Sequence, residues 1–519
     1  MLIACAASVL VVSKSDRDVR ATLPLTVRLD AGQIRGTDTA FAHVFYGIRY
    51  AEPPIGELRW RDPVPVRPWS GVFEASQLGQ RCTQLHDGKT SGSEDCLTLN
   101  VTTPQTKTGA ALPVLVWLHG GGYLYGSGGD YDAQRLADQG NVIVVTVNYR
   151  LGVFGYFGLP GLAGSGDFGL ADQLQALRWT KRNIAAFGGD SGNVTLSGES
   201  AGGMSACALL TSPAAAGLID KAIIQSGSCL LKWLSGTYVQ KLGLPTFTPY
   251  SEVSQTQATG QAAATELGCA AGSELACMRA KPADDLMPVN DRFASNLAWG
   301  TPLLPADPAK ALQAGDFPHI PIMSGGTRDE ARAFISGAIQ HGLPVTAENY
   351  PDLMRGAFGD KANQVMAAYP LADYRSPALA WATVSTDAAW SCPTLAADKA
   401  MAARTPVYAY DFADDHAPNV NLIPADFPPG AAHASELPYL FDLIGRTANF
   451  TWDQWQLAGK MIAYWSTFAR EGTPTAPKSP RWPRFEASEA ALSLAPDPDG
   501  ISRFDYRAAH HCTLFLGPP

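Results

Sequence analysis

Thr195-Leu196-Ser197-Gly198-Glu199-Ser200-Ala201-Gly202-Gly203 is the stretch on which the reading of this 519-residue chain turns. The apolar run Val194 to Leu196 feeds a Gly-x-Ser-x-Gly sequence, and an alanine- and leucine-rich segment comes directly after it. That order predicts a strand, a sharp turn and a helix, with Ser200 at the apex and its hydroxyl projecting. A strained apex of this kind needs glycine around it, because side chains at Gly198 and Gly202 would collide with the neighbouring strand and helix. The helix after Ser200 also aims its first N–H groups at any negative charge that develops there.

Outward from this turn, strands alternate with helices. Pro113 to Leu118 and Val142 to Val147 are nearly continuous apolar runs, as expected of parallel strands covered on both faces. Leu170, Leu174, Leu177 and Ile184 mark one face of a helix over 170–184. Lys221 to Gln225, Ile320 to Met323 and Val407 to Phe412 read as further strands, and Thr26 to Ile34 as an early hairpin turning at Ala31-Gly32. The pattern implies an α/β fold with a large, mostly parallel sheet. Between about 230 and 315, and again between 340 and 400, the chain becomes helical and irregular, as insertions that roof a pocket at the carboxyl edge of a sheet do. Residues 21–519 are read as one catalytic domain carrying these insertions.

Composition narrows the function classes. A hydrophobic content of 46% supplies ample core, and a net charge of −9 without a basic stripe argues against nucleic acid. No apolar run approaches the roughly 20 residues of a membrane span. Met1 to Val12 is apolar and turns abruptly polar at Lys14, so residues 1–20 read as a secretory leader lacking its basic start. Leu2-Ile3-Ala4-Cys5 also resembles a lipoprotein cleavage box, which would place a lipid anchor at Cys5; an N-terminal extension is the plain alternative. Cys82 and Cys96 flank one short polar loop and Cys269 and Cys277 another, while Cys512 stands near the C-terminus, where a bridge to Cys392 would pin the tail. Three such pairs favour an oxidising compartment, hence a secreted or periplasmic protein. Cys207 and Cys229 sit in apolar contexts and are expected as buried free thiols.

Ser200 needs partners. After the strand ending at Leu118 comes His119-Gly120-Gly121-Gly122-Tyr123, a glycine triplet whose N–H groups can turn inward together and, with the N–H of Ala201, hold an oxyanion. His119 is tethered to this loop and reads as a structural prop. In a strand–Ser–helix arrangement the acid and then the histidine come after the serine in the chain. His433, in Gly430-Ala431-Ala432-His433-Ala434-Ser435-Glu436, comes after a proline-rich loop and suits a ring reaching over the sheet edge; His416 and His510-His511 compete from weaker contexts. For the acid, Asp329 and Glu330 both stand just past the strand at 320–323, and spacing does not separate them. Tyr123, Trp233 and Trp299 are bulky residues near the expected pocket.

The chain resembles the type-B carboxylesterases, the family that includes the cholinesterases, over nearly its whole length after residue 25. The resemblance rests on Gly47-Ile48-Arg49-Tyr50-Ala51, Leu58-Arg59-Trp60, Ser93-Glu94-Asp95-Cys96-Leu97, His119 to Gly122, Asn148 to Gly152, Phe187 to Asp190, Gly198 to Gly202, Gln225 to Ser228, Arg328-Asp329-Glu330, His433 to Glu436, and Tyr464-Trp465 with Phe468-Ala469-Arg470. It implies an α/β-hydrolase fold and a serine ester hydrolase without metal or organic cofactor. It also implies a triad of Ser200, Glu330 and His433, oxyanion donors at Gly121, Gly122 and Ala201, and supporting roles for Glu199 and Ser226. The same resemblance implies bridges Cys82–Cys96, Cys269–Cys277 and Cys392–Cys512, and ion pairs Arg59–Glu94 and Arg150–Asp172. The partner so implied is a small-molecule ester, short to medium or aromatic, with a lipase as the alternative and a non-enzymatic binding protein as the remote one. The loop Thr83 to Asp95 carries no Trp, Tyr or Phe, so the cation–π contact by which cholinesterases hold choline has no ring there.

Overall fold

The computed structural model describes residues 25–105, 111–241, 243–294 and 297–518. The leader-like segment 1–20, with Cys5, lies outside them. The main sheet is built from β1 (Thr37–Asp38), β2 (Ala42–Arg49), β3 (Thr98–Pro104), β4 (Leu112–Leu118), β5 (Ile143–Val147), β6 (Gly189–Glu199), β7 (Lys221–Gln225), β8 (Ile322–Thr327), β9 (Val407–Phe412), β10 (Ala490–Leu494) and β11 (Ser502–Asp505). Their spatial order is β11-β10-β9-β8-β7-β6-β4-β5-β3-β2-β1. Pairing is parallel from β5 to β10 and antiparallel at both flanks.

The helices that matter for the site are α1 (Phe168–Asn183), α2 (Ala201–Leu210), α3 (Ala331–Gln340), α4 (Pro377–Thr386), α5 (Cys392–Ala402) and α6 (Trp452–Glu471). Side chains alternate across a strand, and β4 shows how that splits the core in two. Val114, Val116 and Leu118 join Leu170, Leu174 and Leu177 of α1 and Met204 of α2 on one face. Leu115 and Trp117 pack with Leu457, Met461, Trp465 and Phe468 of α6 on the other. With both faces covered, the near-continuous apolar runs are explained. This is the α/β-hydrolase arrangement.

The winding of the sheet positions the site. β4 pairs in parallel with β5 on one side and β6 on the other, so the order in which strands join the sheet reverses there, the place where a crevice opens beyond the carboxyl ends of β4 and β6. The glycine triplet comes after β4, and Ser200 after β6. The strand read at 320–323 is displaced: β8 begins at Ile322 and continues through Gly325-Gly326 to Thr327. Those glycines are strand residues because a Cβ on Gly325 would lie 2.4 Å from the Tyr410 ring of β9. The interval 230–315 holds short helices and a small parallel ladder between Tyr250–Glu252 and Leu297–Trp299, whereas 340–400 is helical.

Cys82–Cys96, Cys269–Cys277 and Cys392–Cys512 are bonded. The expectation of free thiols at Cys207 and Cys229 is corrected: these two are bonded to each other, with Cα atoms 5.4 Å apart. Both are buried, as their apolar contexts implied. What the sequence hid is proximity. A Cβ on Gly227 would lie 2.5 Å from Cα of Gly203, so the segment after β7 rides directly on α2 and brings Cys229 to its second turn. Two ion pairs are present as well, one buried and one partly buried. Arg150 grips Asp172 through Nε and Nη2, each at 2.7 Å, and Arg59 pairs with Glu94 while its Nη1 donates to the carbonyls of Met278, Arg279 and Lys281.

Candidate active site

Ser200 caps α2 with φ 54° and ψ −123°, a conformation that non-glycine residues hold only under constraint. The constraint is close packing on both sides. A Cβ on Gly202 would fall 2.0 Å from the Leu118 carbonyl oxygen, and one on Gly198 would fall 2.4 Å from the Gly202 backbone. The Ser200 N–H is tied to the Gln225 carbonyl at 2.9 Å. Facing it, Gly120 packs so tightly that a Cβ there would touch Cβ of Ser200 and the Glu199 carboxylate.

Gly121 and Gly122 both have positive φ, 105° and 59°. Neither of them, nor Ala201 at the start of α2, donates a hydrogen bond to another group among the described residues. Unpaired N–H groups at a helix N-terminus and in a nest of glycines make a site for an anionic oxygen.

Glu330 and Asp329 come just after β8 and diverge. The Glu330 carboxylate lies 2.5 Å from Nδ1 of His433 and accepts the Thr327 N–H at 2.9 Å. Asp329 instead clamps the backbone of the histidine loop, accepting from Ala431 N at 3.0 Å, and pairs with Arg332. The histidine loop is thus held by one carboxylate and its ring by the other. Nε2 of His433 stands 3.1 Å from Oε1 of Glu199, and the Ser200 hydroxyl makes no hydrogen bond to it among the described residues. In unliganded sites such bonds are often long and tighten only when substrate arrives.

The charged groups around His433 act on one another. Burial pulls the His433 pKa down, but the carboxylates of Glu199 and Glu330 outweigh it and hold the ring above the ordinary histidine range. Burial, aided by Glu436 and Glu330, raises Glu199 above the usual carboxylate range, although His433 opposes it. A negative neighbour that favours imidazolium delays the appearance of the neutral base as pH rises. Glu199→Gln removes that neighbour, so the acidic limb of the kcat/KM profile should move to lower pH. An unmoved limb would show that Glu199 carries no charge in the working enzyme.

Other expected residues fall where their surroundings demand. His119 is buried, stacked on Tyr149 at 4.3 Å, and burial lowers its pKa to about 4, which suits a neutral prop. Ser226 is buried with φ 49°, beside Gly326 and behind Glu330. Tyr123 is wholly buried, edge-on to Tyr156. Trp299 lies under Lys310. Only Trp233 joins the aromatic group around His433, through Trp390 at 5.4 Å.

Two aromatic neighbours of His433 were not picked out in the sequence. Phe334 and Trp390 each pack 4.9 Å from the His433 ring and stack on one another at 5.4 Å. Behind the site, Trp465 donates to Gln225, whose amide donates in turn to buried Glu436, each bond 3.0 Å long. Phe334 is four residues beyond Glu330 on α3, the spacing that shares a helix face, and was legible in principle. Trp390 was not.

The model of the carboxylesterase family matches residues 24–512. The para-nitrobenzyl esterase of Bacillus subtilis (strain 168) is 34% identical over 513 residues, covering 91% of this chain and 96% of that protein. Pyrethroid hydrolase Ces2e of Rattus norvegicus is 32% identical, covering 89% and 85%. In three dimensions a solved PNB esterase superposes with a TM-score of 0.77 at 32% identity, over 95% of this chain and 99% of that one. A match of this extent in sequence and in fold, around a serine at a strained strand–helix turn, places the chain in the carboxylesterase family as a carboxylic ester hydrolase.

Proposed function

We propose that Ser200, Glu330 and His433 act as a catalytic triad on short-chain to medium-chain or aromatic esters. The observation that carries this reading is the contact of the Glu330 carboxylate with Nδ1 of His433, made beside the strained Ser200 turn and the unpaired N–H groups of Gly121, Gly122 and Ala201. Glu330 fixes the tautomer that leaves Nε2 free to accept a proton. Ser200 attacks the ester carbonyl as His433 takes its proton, the backbone donors hold the oxyanion, and His433 returns the proton to the departing alcohol. Water then repeats the sequence on the acyl-enzyme. Glu199 and Ser226 support the triad from behind.

The aromatic wall of Phe334, Trp390 and Trp233 supports a bounded acyl site, which favours compact acyl groups over long chains. The relative named para-nitrobenzyl esterase acts, by its name, on esters of an aromatic alcohol, which supports aromatic esters as substrates here. Four disulfides suit an oxidising compartment, and we read the protein as secreted or periplasmic, with residues 21–519 as one catalytic unit.

The test is hydrolysis of p-nitrophenyl esters from acetate to palmitate. A rate that peaks at short acyl chains and collapses at long ones is expected. A rate that persists with chain length would replace this reading with a lipase-like trough. Silence across the series from folded protein would overturn it.

A further inference from the structure

Between α4 and α5 the helix widens into one π-turn, Asp387–Ser391. A π-turn inserts a residue into the helical ladder and rotates the helix on its C-terminal side relative to the helix on its N-terminal side; such turns are rare and cluster at functional sites. Here both ends of the turn are fastened to the C-terminal segment. At its start, Oδ1 of Asp387 lies 2.7 Å from Nδ1 of His510, and Oδ2 accepts a 2.7 Å hydrogen bond from the Tyr369 hydroxyl. At its end, Cys392 is bonded to Cys512. Nε2 of His510 also stands 3.6 Å from the Asp411 carboxylate of β9, so this ring, only 3% exposed, sits between two buried carboxylates. Burial disfavours its charge, but Asp387 and Asp411 outweigh that and keep it an imidazolium.

Inside the turn, the Trp390 ring lies 4.9 Å from His433 and is stacked within 7° of parallel on Phe334. His433 is carried on a loop. Its backbone is held by Asn421 and, through Ala431, by Asp329. Its imidazole is held by Glu330 at Nδ1, by Glu199 at Nε2 and by the two aromatic rings. Without Trp390 one of those supports disappears.

We infer that Asp387 and His510 are positioning residues for ester hydrolysis: by clamping the π-turn to the C-terminal segment they set Trp390 against His433 and so fix the imidazole beside Ser200. This rests on the reading of His433 as the general base. A misplacement of about 1 Å in such a site can cost on the order of 100-fold in rate.

A double-mutant cycle tests the inference. Asp387→Asn and Trp390→Leu are each expected to lower kcat on p-nitrophenyl acetate about 10-fold, assayed well below their melting temperatures. If Asp387 acts through Trp390, adding Asp387→Asn to Trp390→Leu lowers kcat by no more than about twofold further. Where Asp387→Asn does not fold, His510→Asn serves in its place, since its amide keeps a donor toward Asp387 while removing the charge. Full additivity, or a lowered melting temperature with wild-type kcat, would overturn the inference. Ser200→Ala separates the two levels: if it is inactive while Asp387→Asn keeps wild-type kcat, the positioning role alone fails, and if Ser200→Ala is active, the triad reading fails first.

Discussion

Ser200→Ala is expected to reduce kcat/KM on p-nitrophenyl acetate by about 10⁴-fold or more, leaving only the residual rate that oxyanion donors and binding sustain. It is also expected to leave the thermal transition nearly unchanged. The Ser200 hydroxyl makes no hydrogen bond among the described residues, so its removal orphans no buried donor or acceptor. The turn itself is held by close backbone packing at Gly198 and Gly202 and by the bond from Ser200 N–H to Gln225, all of which alanine preserves. Near-wild-type turnover would sink the assignment of the nucleophile. Loss of activity together with loss of the folded state would leave the hydroxyl with a structural role that its surroundings do not suggest.

Gly121→Ala should damage the reaction by a different route. Its φ of 105° is one that alanine rarely adopts, and the added Cβ would lie 2.0 Å from the Tyr125 carbonyl oxygen. The loop must move to accept it, and the N–H groups of Gly121 and Gly122 move with it. Losing one oxyanion donor typically costs 10²–10³ in kcat, about 3 kcal/mol of barrier. The loss should fall on kcat, with KM for small esters little altered, because these donors meet charge that develops only in the transition state. A kcat within about threefold of wild type would show that the donors lie elsewhere.

The turn around Ser200 is legible in the sequence because each of its glycines answers a local need. Gly198 and Gly202 face backbone atoms a few ångströms away, and the apolar strand before them and the small-residue helix after them require no distant partner to be identified. The buried strands are legible for a similar reason: Lys221–Gln225 and Val407–Phe412 stand where their runs of residue type place them. The choice between Asp329 and Glu330 was different. Adjacent carboxylates have the same local chemistry, and only the path of the loop past β8 sends one to the backbone at Ala431 and the other to the ring of His433.

By itself, then, the sequence determined the α/β alternation, the serine turn, the glycine nest and a histidine late in the chain, because strand and helix periods and tight turns are properties of a few neighbouring residues. Only the tertiary structure decided which distant side chains meet. Cys207 and Cys229 read as two separate apolar cysteines until Gly203 and Gly227 bring their segments into contact. Trp390 gains its place against His433 from a π-turn fastened by residues more than a hundred positions later. Such meetings depend on how elements pack across the sheet, and packing distance leaves no periodic mark on the chain.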